Sequence, residues 1–90
     1  MSQAIVNPAE LRRFAQQLKH FNTELVTQMS AIQRQMVALG STWRDQEQQK
    51  FTEEFEQQMK TINRFVESSE QYVPFLLRKA ERIDEYLQQR

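Results

Sequence analysis

The sequence predicts an all-α protein: an antiparallel hairpin of two long helices that dimerises into a four-helix bundle. Three observations lead there. The 90-residue chain holds one Gly and two Pro, and the good helix formers Gln, Glu, Lys and Arg fill most polar positions, leaving strands and β-turns almost without support. Apolar residues recur at spacings of three and four over nearly the whole length, which is the period of a helix with one buried stripe. The single Gly, Gly40, divides that pattern in two.

The first helix is expected over about 8–39. Asn7 can cap it, Pro8 suits the first helical position where no amide bond is lost, and Glu10 can close a capping box. Its stripe is Leu11, Phe14, Leu18, Phe21, Leu25, Met29, Ile32, Met36 and Leu39, with Leu11, Leu18, Leu25, Ile32 and Leu39 on one heptad line. Gly40 ends the helix, because a left-handed residue after the last turn costs Gly nothing.

A turn over 40–42 leads into a second helix over about 43–90. Ser41 or Thr42 can cap it, and Thr42 with Asp45 fits a capping box. Its apolar residues include Phe51, Phe55, Met59, Ile62, Phe65, Val66, Tyr72, Val73, Leu76, Ala80, Ile83 and Leu87. The stripe is wide, as in a bundle with several neighbours. Pro74 deletes the bond to the Glu70 carbonyl and predicts a kink. Beyond it lies either a simple continuation after the bend or a separately movable arm.

Helices joined by so short a turn lie antiparallel. With Leu39 level with Arg44, Ile32 meets Phe51, Leu25 meets Gln58, Leu18 meets Phe65 and Leu11 meets Tyr72. Pro74 is then level with about residue 9, and residues 75–90 project beyond the first helix. That projection, through Pro74, Leu76, Ala80, Ile83, Tyr86 and Leu87, is the expected partner-binding arm. Leu11, Phe14, Leu18, Phe21, Leu25, Ile32, Phe55, Ile62 and Val66 are the expected dimer and core residues. Ninety residues bury only about 60 to 65% of the unfolded surface, and without Cys no disulfide compensates. A second chain is expected to supply the missing burial, either a second copy or a paralogue.

Twelve basic and twelve acidic side chains cancel, leaving no excess to draw the chain onto nucleic acid or acidic lipid. The longest apolar run, Val73 to Leu77, is far short of the ~20 residues that cross a bilayer, so no stable membrane insertion is expected. The opening residues lack a basic and then apolar leader pattern, which points to the cytoplasm. No metal, cofactor or catalytic group is expected. His20 stands alone, without the Glu-x-x-His pairs of a di-iron bundle. The acidic side chains Asp45, Glu47, Glu53, Glu54 and Glu56 read as a solvated face with Lys50 and Lys60 in salt-bridging reach. Arg78, Lys79 and Arg82 are interrupted by Glu81. Gln28, Gln58 and Ser69 at seam positions either fix the register or face a wet part of the bundle.

Trp43, the only Trp, stands at the hairpin tip. It either packs on Leu39 to plug its own hairpin or joins the partner's arm in a composite groove. The tip "LGSTWRD", with "VNPAEL", "QKF" and "RKAERIDEYL" at corresponding places, resembles the Trp-x-Gly family of small type VII secretion proteins, the early secreted antigen type. Trp43 matches the motif Trp, Arg44 its variable position, and Asp45 stands where the motif has Gly, while Gly40 supplies the turn. The resemblance implies a non-enzymatic hairpin that dimerises, and export without a cleaved signal peptide, alone or as an adaptor. The implied partners are a secretion ATPase or a larger effector. The family's tail signal, Tyr followed four residues later by Asp or Glu, is missing, since Leu76 follows Tyr72 and Arg90 follows Tyr86 at that spacing. An intracellular scaffold or chaperone-like adaptor, binding an amphipathic helix of another protein, stays open as the alternative.

Overall fold

The computed structural model describes residues 6–89. They form two helices, α1 (Pro8–Leu39) and α2 (Gln46–Gln88), packed as an antiparallel hairpin. Asn7 caps α1 from an extended backbone, its Oδ1 accepting from the amides of Ala9 at 2.8 Å and Glu10 at 3.4 Å. Pro8 follows at a position whose amide would have gone unused.

The turn differs from the expectation at Gly40 and at the second cap. Gly40 has φ −63° and stays right-handed, and no described residue has a positive φ. The end of α1 is instead closed by hydroxyls. Ser41 Oγ donates to the Ala38 carbonyl at 2.8 Å and Thr42 Oγ1 to that of Leu39 at 3.3 Å, with both backbone amides on the same carbonyls. These bonds satisfy carbonyls that a helix end would leave without donors. Since Ser41 and Thr42 are engaged backwards, Asp45 becomes the cap of α2 and accepts from the Gln48 amide at 2.9 Å. The connection therefore runs over 40–45, and α2 starts at Gln46 instead of 43. Its other end is Gln88 with Gln89 as cap, and Arg90 lies outside the described residues.

Lengthening the connection moves α2 along α1. Phe21 meets Phe65 edge to face, with ring centroids 6.3 Å apart, and Arg12 reaches Asp84. Residues 75–80 consequently lie alongside the first turns of α1, with Ala80 buried. The expected overhang is shortened, because each added loop residue carries the register further at ~1.5 Å per helical residue. With 43 residues against 32, α2 still carries its last residues beyond Pro8. Pro74 sits exposed within α2, and the helix runs through it without a break. Pro74 has no amide to donate to the Glu70 carbonyl.

The tightest seam is built from small side chains. Ala15, Asn22 and Met29, one heptad apart on α1, are buried with Val66, Ser69 and Ala80 of α2. Ala15 and Ala80 are fully covered, which lets the helices approach closely near their open end. Of the expected core, Val66 is buried, whereas Leu11, Leu18, Leu25, Phe55 and Ile62 are half-buried and Phe14, Phe21 and Ile32 are exposed. The larger side chains flank the seam because the small ones occupy its centre. The rod measures 68 × 23 × 16 Å with a radius of gyration of 20.3 Å, against about 12 Å for a compact domain of this length. Its accessible surface is 7344 Å², where a compact monomer of this mass would show about 5,600 Å².

Candidate functional site

One face of the hairpin carries the displaced apolar residues. Phe14, Phe21, Phe65, Tyr72 and Phe75 each remain about half exposed. Toward the open end, Phe14, Leu18, Phe65, Tyr72, Phe75 and Leu76 line a groove of about 410 Å³ with Ser69 at its floor. Toward the tip, Ile32, Met36, Leu39, Phe51 and Phe55 line a second groove of about 220 Å³. The heptad line of Phe14 and Phe21 continues to Gln28, and that of Phe51 and Phe65 passes through Gln58. Both glutamines are exposed, so these seam positions are wet, whereas Ser69 is buried. A polar band thus divides the face.

At the tip, Trp43 is half-buried, and its amide donates to the Leu39 carbonyl at 3.0 Å. Its ring lies 5.8 Å from that of Phe51, tilted by 39°, and Phe51 stacks on Phe55 at 6.0 Å. Trp43 therefore continues the apolar face in an aromatic ladder instead of standing apart. Arg44 Nε donates to the Gly40 carbonyl at 3.1 Å and holds the loop against the end of α1. Gly40 ends the last turn, Trp43 lies in the loop, and Asp45 caps α2. The position where the motif has Gly is thus an N-cap, which Asp and Gly both suit.

The expected arm divides between two environments. Ala80 is buried in the hairpin seam, Leu76 and Ile83 are half-buried, and Pro74, Tyr86 and Leu87 are exposed. Leu76 joins the open-end groove with Phe14. Sequence reasoning missed Ala15, Asn22, Phe75 and the Arg12–Asp84 pair. The spacing of seven that links Ala15, Asn22, Met29 and Met36 is the signal for this seam, but Ala and Asn do not mark an apolar stripe.

The titratable groups offer little for catalysis. His20 Nε2 and Glu24 are 3.7 Å apart with both side chains well exposed. Among the described residues there is no cluster of His, Asp or Glu able to hold a metal, and no helix long and apolar enough to cross a membrane. The arrangement suits protein contact: a flat, aromatic, divided face ending in a Trp-bearing tip.

Residues 3–86 match a protein-family profile, WXG100, described as proteins of 100 residues with WXG. No curated protein and no solved structure matches the chain. The matched span takes in both helices almost whole and the Trp43 loop between them. The chain belongs to the WXG100 family, small secreted substrates of type VII secretion that are not enzymes.

Proposed function

We propose that this protein works as a homodimer in which two apolar faces close into a four-helix bundle, and that the dimer is the exported form. The carrying observation is the exposed aromatic face of Phe14, Phe21, Phe65, Tyr72 and Phe75 on a molecule with far more surface than its mass requires. Covering such a face removes apolar area from water at about 25 cal/mol per Å². WXG100 proteins typically form dimers, in keeping with this reading.

Charge supports an antiparallel pairing. The tip holds Asp45, Glu47, Glu53, Glu54 and Glu56 against Arg34, Arg44 and Lys50. The open end holds Arg12, Arg13, Lys19, Arg78, Lys79 and Arg82 against Glu10, Glu70, Glu81, Asp84 and Glu85. Setting an acid-rich tip beside a base-rich end is favourable at both ends of the rod. The same pairing brings Trp43 of one chain near Tyr86 and Leu87 of the other. That composite end is the surface offered to a secretion ATPase or a larger effector.

The deciding experiment follows the protein between cell pellet and culture supernatant in its host, with and without the secretion ATPase. ATPase-dependent release, lost in a Trp43→Ala variant that still dimerises, is the expected result. Unchanged export of that variant would remove the role given to Trp43. The tail spacing, with Leu76 after Tyr72 and Arg90 after Tyr86, favours one second reading, an adaptor retained inside the cell. Retention in the pellet under both conditions would select it.

A further inference from the structure

We propose that residues 75–88 of α2 form an arm that opens from α1 as one unit, hinged at Asn22, Ser69 and Pro74 and latched by Arg12 and Asp84. The proposal stands apart from dimerisation and would hold for a single hairpin. Two separate weaknesses of the closed hairpin fall together at the hinge, and a third lies in the arm beyond it.

The first is in the backbone. Pro74 has no amide hydrogen, so the Glu70 carbonyl loses its helical donor, and the ladder of α2 is thinnest there. The second is in the seam. Asn22 is 2% and Ser69 1% exposed, yet both amide atoms of Asn22 and the hydroxyl of Ser69 have no hydrogen-bond partner. Asn22 also lines, with Glu70, Val73 and Pro74, a cavity of about 280 Å³. Buried polar groups without partners disfavour the closed state, because water satisfies them once the helices part.

The third is in what holds the arm beyond this point. Its fully buried side chains are among the smallest available, Ala80 on the arm and Ala15 on α1. Its ionic contact, Arg12 with Asp84, has both side chains more than a third exposed, and such pairs hold weakly in water. On the other side of the hinge, Met29, Val66 and the Phe21–Phe65 pair keep the rest of the hairpin closed. The seam therefore separates where its polar groups lie, and opening releases Leu76, Ala80 and Ile83.

Native-state hydrogen exchange on the full chain tests this directly. Amides of residues 75–86, corrected for intrinsic rates, should exchange at least ~10-fold faster than those of 59–68, with a step across Ser69 to Pro74. Val66→Ala should speed exchange in 59–68 and leave the arm unchanged, and Ile62→Val serves if the first variant fails to fold. Asn22→Leu should slow exchange of the arm about 10-fold, and Asp84→Asn should speed it. A smooth gradient toward Gln88 would indicate simple end fraying and overturn the hinge. So would a common rate along α2, an arm that follows Val66→Ala, or an arm indifferent to Asn22→Leu.

Discussion

The guanidinium of Arg12 donates a hydrogen bond to the carboxylate of Asp84, joining residues 72 positions apart across the open end of the hairpin. The contact shows that the C-terminal part of α2 is laid along α1. It does not hold it there firmly, since the two side chains are 45% and 37% exposed. A double-mutant cycle with Arg12→Gln and Asp84→Asn should give a coupling of about 0.2–1 kcal/mol, shrinking as salt is added. Urea unfolding at fixed protein concentration measures it. A coupling well above this range would mean that the pair is shielded in the assembled protein.

Gly40 tests how the turn is made. With φ −63°, an Ala there meets no backbone penalty and gains about 0.4–1 kcal/mol from the unfolded state. Against this, an added Cβ would stand 3.2 Å from the Val37 carbonyl oxygen, close enough to require a small shift. Gly40→Ala should therefore change stability by no more than about 1 kcal/mol in either direction. A left-handed Gly40 would instead show a loss of roughly 1–2 kcal/mol, and thermal unfolding distinguishes the two.

These two positions also show what was legible in the sequence. Two long antiparallel helices follow from the three-and-four spacing and from the scarcity of Gly and Pro. The start of the second helix does not, because Ser41, Thr42 and Asp45 are all competent caps within five residues, and local chemistry did not rank them. Their roles emerge only when Ser41 and Thr42 turn back onto the Ala38 and Leu39 carbonyls. A cap displaced by three residues then moves the far end of a rigid helix, which is why the first part of the projecting arm, through Ala80, is paired with α1. Asn22 was hidden for another reason: a buried amide in a seam carries no periodic signal of its own. The aromatic face was visible as apolar positions, but their partial exposure depends on the small side chains Ala15, Ser69 and Ala80 taking the centre of the seam.

Asp45 makes the motif position a question of capping. Its carboxylate accepts from the Gln48 amide at 2.9 Å, beside the positive end of the α2 dipole. Asp45→Ala should cost about 1 kcal/mol, whereas Asp45→Gly should cost only a few tenths. Circular dichroism melts of the two variants are sufficient to compare them. Equal losses would mean that the carboxylate acts through something other than the cap.

Ser69 is buried with an unpartnered hydroxyl. Replacing it by Ala removes the unsatisfied group and gains helix propensity. Ser69→Ala should therefore stabilise the protein by about 1 kcal/mol, read from the urea midpoint at unchanged slope. A loss of stability would show that the hydroxyl finds a partner when two hairpins assemble.

Phe65 tests the interaction face. Its ring packs edge to face on Phe21 at 6.3 Å while staying about half exposed, so it serves the hairpin with one side and offers the other. An Asp at this position would have to lose its hydration to enter a dimer interface, a cost far above that of leaving the chains apart. Phe65→Asp should shift the protein from dimer to monomer in light scattering at micromolar concentration, with loss of helicity as the exposed faces lose cover. Gln16, exposed on α1 and outside both the apolar grooves and the charged ends, provides the control, and Gln16→Asp should leave the dimer largely intact. If Phe65→Asp remained dimeric, the chains would have to meet through another surface, and the aromatic face would be free for a different protein.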